Sequence, residues 1–184
     1  MSNVIVGMTL SLDGFVAGPG GDVSQLYPDL GALRYTEMLA ESIRTTGAVV
    51  MGRNAFAMGD PDAYAGKYEY QVPIFVLTHT PPAKAPRQDE RLTFTFVSDG
   101  IDSAIRQARA AAGDKDVTVV GGASTIQQCL QHGLADVLQI GLMPVLLGDG
   151  LRLFERLGLP PLALEKFSVI ESGPRTDIYF RVRK

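Results

Sequence analysis

Val119-Val120-Gly121-Gly122-Ala123-Ser124-Thr125-Ile126 sets two glycines between a β-branched run and the opening of a helical pattern. Val117 to Val120 reads as a strand buried on both faces, and Ile126, Cys129 and Leu130 lie on one side of a short helix that closes near Gly133. At such a strand-to-helix turn the first helical N–H groups lack partners and carry partial positive charge. Glycine lets a pyrophosphate approach that backbone, and the hydroxyls of Ser124 and Thr125 add donors. The same residues also suit a tight turn with Ser124 as helix cap, and the segment alone leaves both readings open.

On its N-terminal side the pattern repeats. Ile101, Ala104, Ile105, Ala108 and Ala112 mark one helical face, which Gly113 is suited to end. Thr93–Val97 reads as a strand, and so does Pro73–Leu77, with proline at a first position that needs no ladder donor. Ala48–Met51 is a further buried strand, entered from a helix over Leu33–Ile43, and Val4–Met8 opens the chain as a central strand. Leu12 to Gly31 is rich in glycine and poor in helical pattern, and reads as a mobile loop. On the C-terminal side Val137–Leu147 is apolar. Ile178, Phe180 and Val182 then alternate with Tyr179, Arg181 and Arg183 behind the turn Ser172-Gly173-Pro174-Arg175, as in an antiparallel hairpin with Phe167–Ile170. Strands alternating with helices require crossovers, so the pattern predicts an α/β fold with a mixed, mostly parallel sheet of about eight strands and ligand crevices at the strand ends.

Composition narrows the function. A chain of 184 residues falls within the range of one domain, here 1–184, and can bury roughly 70% of its unfolded surface without disulfide or metal staples. Its Pro81–Arg91 loop is too short to divide domains. Hydrophobic residues make up 46% and charged residues 20%, which is ordinary globular usage and argues against disorder. A net charge of -3 provides no basic field for nucleic acid or anionic lipid. No apolar run approaches the ~20 residues of a membrane span, and no basic leader precedes one. The single cysteine, Cys129, cannot form an internal disulfide and reads as a small buried residue, so the expected location is the cytoplasm. Metal chemistry is not expected.

Three further segments carry chemistry. Met51-Gly52-Arg53-Asn54 ends a strand with an arginine, whose planar fork of donors suits the extra phosphate of NADPH, although a solvated surface charge is the plainer reading. Leu77-Thr78-His79 ends another strand, where Thr78 and His79 are candidates for the adenosine side and His79 reads equally as an unpartnered loop imidazole. His132 suits the dipole at a helix C-terminus. A Rossmann fingerprint is absent, and Gly18-Pro19-Gly20-Gly21-Asp22 lacks the ending of a triphosphate loop.

Together with Ser11-Leu12-Asp13-Gly14-Phe15-Val16, Pro144–Gly150 and Leu153-Phe154, these segments resemble the dihydrofolate-reductase-like superfamily. The similarity is greatest to the reductase domain of bacterial riboflavin biosynthesis (RibD C-terminal domain type) in its small stand-alone form. The resemblance implies a three-layer α/β/α sandwich on an eight-stranded sheet. It also implies NADPH as cofactor, held by Gly52, Arg53 and Asn54 at the adenosine phosphates, by Leu77, Thr78 and His79 at the adenine, and by Gly121, Gly122, Ala123, Ser124 and Thr125 at the pyrophosphate. Met8 and Thr9 would lie at the nicotinamide, with the glycine-rich loop as a flap over it.

The implied reaction is hydride transfer to a small pterin- or aminopyrimidine-like heterocycle, as in riboflavin-pathway pyrimidine reductases or dihydrofolate reductases. A homodimer is expected by analogy. A proton donor is needed beside the reacting nitrogen. Asp13 is the favoured acid and Glu37, on the first helix, the second, while a turn former and a solvated helix residue are the plain readings of the two. Asp29 reads as a helix-start acid. The lack of tryptophan departs from the dihydrofolate reductase pattern, and one cysteine cannot build the zinc deaminase often fused to riboflavin-pathway reductases. A non-catalytic NADPH-binding module is the competing class.

Overall fold

Successive side chains on a strand point to opposite faces of its sheet, and this chain uses both faces. Ala48, Val50 and Phe75 enter one core, while their neighbours Val49, Met51, Ile74 and Val76 enter another. The computed structural model describes residues 2–155 and 157–183. In chain order its elements are β1 (Val4–Ser11), β2 (Phe15–Ala17), α1 (Leu30–Leu33), α2 (Glu37–Thr45), β3 (Thr46–Gly52), α3 (Arg53–Ala57), the helical turn α4 (Tyr64–Lys67), β4 (Ile74–Leu77), β5 (Phe94–Val97), α5 (Ile101–Ala112), β6 (Asp116–Val119), α6 (Ala123–Gln131), β7 (Val137–Met143), β8 (Leu151–Arg152), β9 (Leu164–Ser172) and β10 (Arg175–Val182).

Eight strands form one sheet in the order β5-β4-β3-β6-β1-β7-β10-β9. All neighbours from β5 to β7 pair in parallel, and β10 runs antiparallel to both β7 and β9. Helices α5 and α6 supply Ile101, Ala104, Ile105, Ala108, Ile126, Cys129 and Leu130 to the first core. Phe56 of α3, Tyr64, Tyr70 and Leu92 close the second. The expected three-layer sandwich on an eight-stranded, mostly parallel sheet with a C-terminal hairpin is therefore the observed fold. Because the first six strands are parallel, their C-terminal ends share one edge, where ligands collect in such sheets.

Two local expectations fail for identifiable reasons. The helix expected over 33–43 is split, because Thr36 donates its hydroxyl to the Leu33 carbonyl at 2.8 Å and accepts from the Leu39 amide at 3.3 Å, so α2 starts afresh behind its own cap. The loop read as mobile is anchored at several points. β2 pairs with β8 as a separate ribbon, the Arg152 guanidinium lies 4.1 Å over the Phe15 ring, and Leu26 is fully buried. A side chain at Gly150 would collide with the Ala17 carbonyl, so the ribbon approaches closely only because glycine stands there. The tip at Pro19–Asp22 is exposed, as are Leu12, Ser24, Gln25, Pro28, Leu30 and Gly31.

Candidate functional site

The parallel register brings the glycine segments together. Val119 faces Val6 on one side and Val50 on the other, and the ladder continues past it, with the Val120 amide donating to Val50 O at 3.1 Å and the Gly52 amide to Gly121 O at 2.8 Å. A Cβ on Gly121 would lie 3.5 Å from Met8 Cε. The ends of β3 and β6 and the middle of β1 thus form one continuous ledge, with Leu77–His79 one strand further out. At this ledge α6 starts on Gly122 with no side chain capping it, and a Cβ on Gly122 would meet nothing within 4 Å. The Ala123 and Ser124 amides are open to an anion, while the Thr125 amide donates to Gly122 O at 3.0 Å. Arg53 and Asn54 are exposed beside them, and their side chains make no hydrogen bond or ion pair among the described residues.

Other members of the predicted set have local tasks. Thr125 is buried, and its Oγ1 would sit 2.5 Å from a Cβ on Gly52, so it sets the spacing between β3 and α6. Ser124 is exposed and accepts from Gln128 at 3.2 Å. Thr78 is buried in a turn with Thr80, while His79 is exposed. Ala123 is buried against the first core. Cys129 is also buried, which pushes its thiol up to about 12 and leaves it unreactive. His132, at the opposite end of α6 from the ledge, meets Asp102 at 2.6 Å.

Beside the ledge, on the α2 side of the sheet, opens a cleft of about 250 Å³. Met8 and Thr9 of β1, Val120, Tyr27, Tyr68 and Tyr70 are among its walls. Its polar floor was not legible as a site in the sequence. Arg175, 3% exposed, donates from Nε and Nη2 to both oxygens of Asp29 at 3.0 Å each, from Nη1 to Thr9 Oγ1 at 2.6 Å, and from Nη2 to Leu26 O at 3.2 Å. Asp29 is therefore half of a buried bidentate pair, with no capping bond to α1, and the Arg175 hydrogen bonds hold its carboxyl below the usual range against the opposing effect of burial. Asp177 follows two residues later on the same strand face. It is 2% exposed and accepts from Gln139 at 3.3 Å on Oδ1, while Oδ2 is buried with no partner among the described residues. Burial raises its carboxyl above the usual range, with Gln139 and Arg175 pulling the other way. The site exists because Gly141 faces Asp177 across the ladder, where a Cβ would come within 2.8 Å of Arg175 Nη1 and 3.1 Å of Asp177 Oδ1. Two charged residues in phase on a strand that the hairpin places inside a sheet were the available signal.

Neither expected acid lines the cleft. Asp13 accepts from Ser11 Oγ at 2.6 Å and from the amides of Leu147 and Gly148 at 3.1 and 2.7 Å. The Ser11 bond foremost, then those amides, hold its carboxyl at about 2, so it is an anion that fastens the 147–148 loop. Glu37 is exposed in the first turn of α2, while its neighbours Met38 and Leu39 turn into the cleft. Glu37 lies on the later of the two helices into which the expected one is split, one position out of phase with the cleft.

A family model, the RibD C-terminal domain, matches residues 2–177. The chain belongs to this family. Among solved structures, a Shewanella sp. PV-4 protein assigned to riboflavin biosynthesis superposes on this RibD-type domain with a TM-score of 0.78 at 23% identity, covering 99% of both chains. A Thermotoga maritima diaminohydroxyphosphoribosylaminopyrimidine deaminase/5-amino-6-(5-phosphoribosylamino)uracil reductase matches with a TM-score of 0.73 at 19% identity over 99% of this chain, which spans 57% of that enzyme. Dihydrofolate reductase from Enterococcus faecalis, complexed with NADP(H), matches with a TM-score of 0.60 at 16% identity, covering 99% of this chain and 97% of its own. These similarities establish the dihydrofolate-reductase-like fold of the RibD-type domain. Among the described residues no helix is long and apolar enough to cross a membrane, and no cluster of His, Cys, Asp or Glu could hold a metal ion.

Proposed function

We propose that this RibD-type domain is a cytoplasmic NADPH-dependent reductase of a small nitrogen heterocycle. The observation that carries the reading is the Gly52 to Gly121 hydrogen bond, which puts an unpaired arginine and an uncapped helix start on one ledge above a cleft with a buried acid. These residues fit a dinucleotide: Gly121, Gly122 and the first amides of α6 for the pyrophosphate, Gly52, Arg53 and Asn54 for the adenosine phosphates, Leu77, Thr78 and His79 for the adenine edge, and Met8 and Thr9 for the nicotinamide. The bound cofactor would supply the hydride. The walls Met8, Tyr27, Tyr68 and Tyr70 exclude water and accept a flat ring, while the Asp177 carboxyl, raised by burial, suits exchange of a proton with a ring N–H that it accepts from. Reductases of the same fold acting on an aminouracil and on dihydrofolate support this class of chemistry.

The test is calorimetry with NADPH and NADH. Arg53→Ala is expected to weaken NADPH binding roughly 10- to 100-fold, by loss of charge-assisted bonds to the 2′-phosphate, and to change NADH binding by less than about threefold. Absence of heat with either nucleotide would remove the reading.

We also propose a homodimer through β9. This strand ends the sheet, and its Leu164, Phe167 and Val169 are 42%, 46% and 48% exposed, an apolar edge of the kind that pairs with a second chain. Light scattering should report about twice the 19.8 kDa chain mass, and Val169→Lys should halve it.

A further inference from the structure

Building on the reductase reading above, we infer that the ring reduced in this cleft carries no phosphate and presents N–H groups or positive charge to the Asp177 carboxyl. The charges around the cleft decide this. Its lining contains two cations, Arg34 and Arg175, and no lysine or histidine among the described residues. Arg175 is buried, and four of its donor directions are taken by Asp29, Thr9 and the Leu26 carbonyl. A guanidinium has five N–H donors, so almost nothing remains for a ligand. Arg34 lies 3.5 Å from Glu69 at the rim. The lining carries two carboxyls, Glu69 and Asp177, and each cation already has a carboxylate partner, Arg34 in Glu69 and Arg175 in Asp29 just outside the lining, so Asp177 is the carboxyl left without an ion pair of its own among the described residues.

A phosphate monoester brings close to two negative charges and needs unspent donors. Here it would meet a buried guanidinium whose donors are committed, a rim guanidinium paired with Glu69, and the Asp177 carboxyl. The phosphoribosyl group in the name of the Thermotoga enzyme's substrate would find in this cleft no cation that lacks a carboxylate partner. What the cleft lacks is a donor, because Asp177 Oδ2 is buried without a partner and its lone pairs are unspent. A ring amide, an exocyclic amine or a protonated ring nitrogen supplies it, and the tyrosine walls accept the flat face of the ring.

The experiment compares paired probes on the intact protein with saturating NADP+: a dihydropterin alcohol and its phosphate ester, and a ribitylaminouracil and its 5′-phosphate, each titrated by calorimetry. The free compound of at least one pair should bind roughly tenfold or more tightly than its ester. Asp177→Asn should weaken that free compound by roughly tenfold or more, and Arg34→Ala should alter it by less than about threefold. Equal or tighter binding of the esters, with loss of that preference in Arg34→Ala, overturns the inference. So does an unchanged affinity in Asp177→Asn, or no binding by any of the four compounds. The wild-type comparison stands even if the variant fails to fold, and NADP+ binding measured alone reports separately on the reductase reading.

Discussion

Arg175→Met is expected to lower the unfolding free energy by about 3–5 kcal/mol near pH 7, because it strips the partner from a buried carboxylate and leaves its charge uncompensated. Met fills much of the volume of the lost side chain, so the loss is electrostatic more than steric. Urea denaturation measures it, and the double variant Asp29→Leu/Arg175→Met should recover most of it, since an apolar pair avoids burying charge. The pH dependence has a definite sign. Asp29 has a depressed folded pKa, so its contribution in the wild type is complete above the unfolded carboxylate value and is lost as pH falls through the folded value. Asp177, whose folded pKa is raised, contributes oppositely: the protein is favoured below the unfolded value and penalised as pH rises through the folded one. Without Arg175 both carboxyls lose their nearest cation and shift upward. The gap between wild type and variant should therefore be widest near neutrality and narrow as pH drops below the ordinary carboxylate range. A gap independent of pH would show that packing, and not charge, holds Arg175 in place.

Gly52→Ala should destabilise the fold by about 1–3 kcal/mol and weaken NADPH binding in the same variant. The added Cβ would lie 2.5 Å from Thr125 Oγ1 and 3.4 Å from the Gly122 amide. Thr125 is buried and cannot swing away, so the start of α6 must move, and with it the amides proposed to hold pyrophosphate. Thr125→Ala removes the atom that is struck, and the pair Gly52→Ala/Thr125→Ala should regain most of both losses, with a coupling of about 0.5–3 kcal/mol in the double-mutant cycle. Recovery of stability without recovery of affinity would separate the ledge from cofactor binding.

Much of this was legible in the residues. The paired glycines at 121 and 122 and the alternation of apolar runs with helical faces led to the right sheet, because each strand's burial on two faces leaves a local record. The acids were harder to place. Asp13 sits beside a strand end near other site motifs, yet its oxygens are committed to Ser11 and to amides more than a hundred residues away. Glu37 is on the expected helix, but the cap at Thr36 sets the phase of α2 and turns Glu37 outward. Arg175 looked like part of a turn, and only the placement of β10 between β7 and β9 buries it.

Hydrophobic periodicity and the positions of glycine determined the layers, the direction of the strands and the edge where a ligand would bind, since those depend on interactions within a few residues. Which carboxyl faces the cleft was decided by the tertiary structure alone. Strand register sets Thr9 beside Gly141 and Gly141 beside Asp177, and the missing side chain at Gly141 admits Arg175 between them. That arrangement joins segments 166 positions apart along the chain through a 2.6 Å hydrogen bond from Arg175 to Thr9. Burial and charge at such a distance leave no local pattern, because each residue's environment is made by the others.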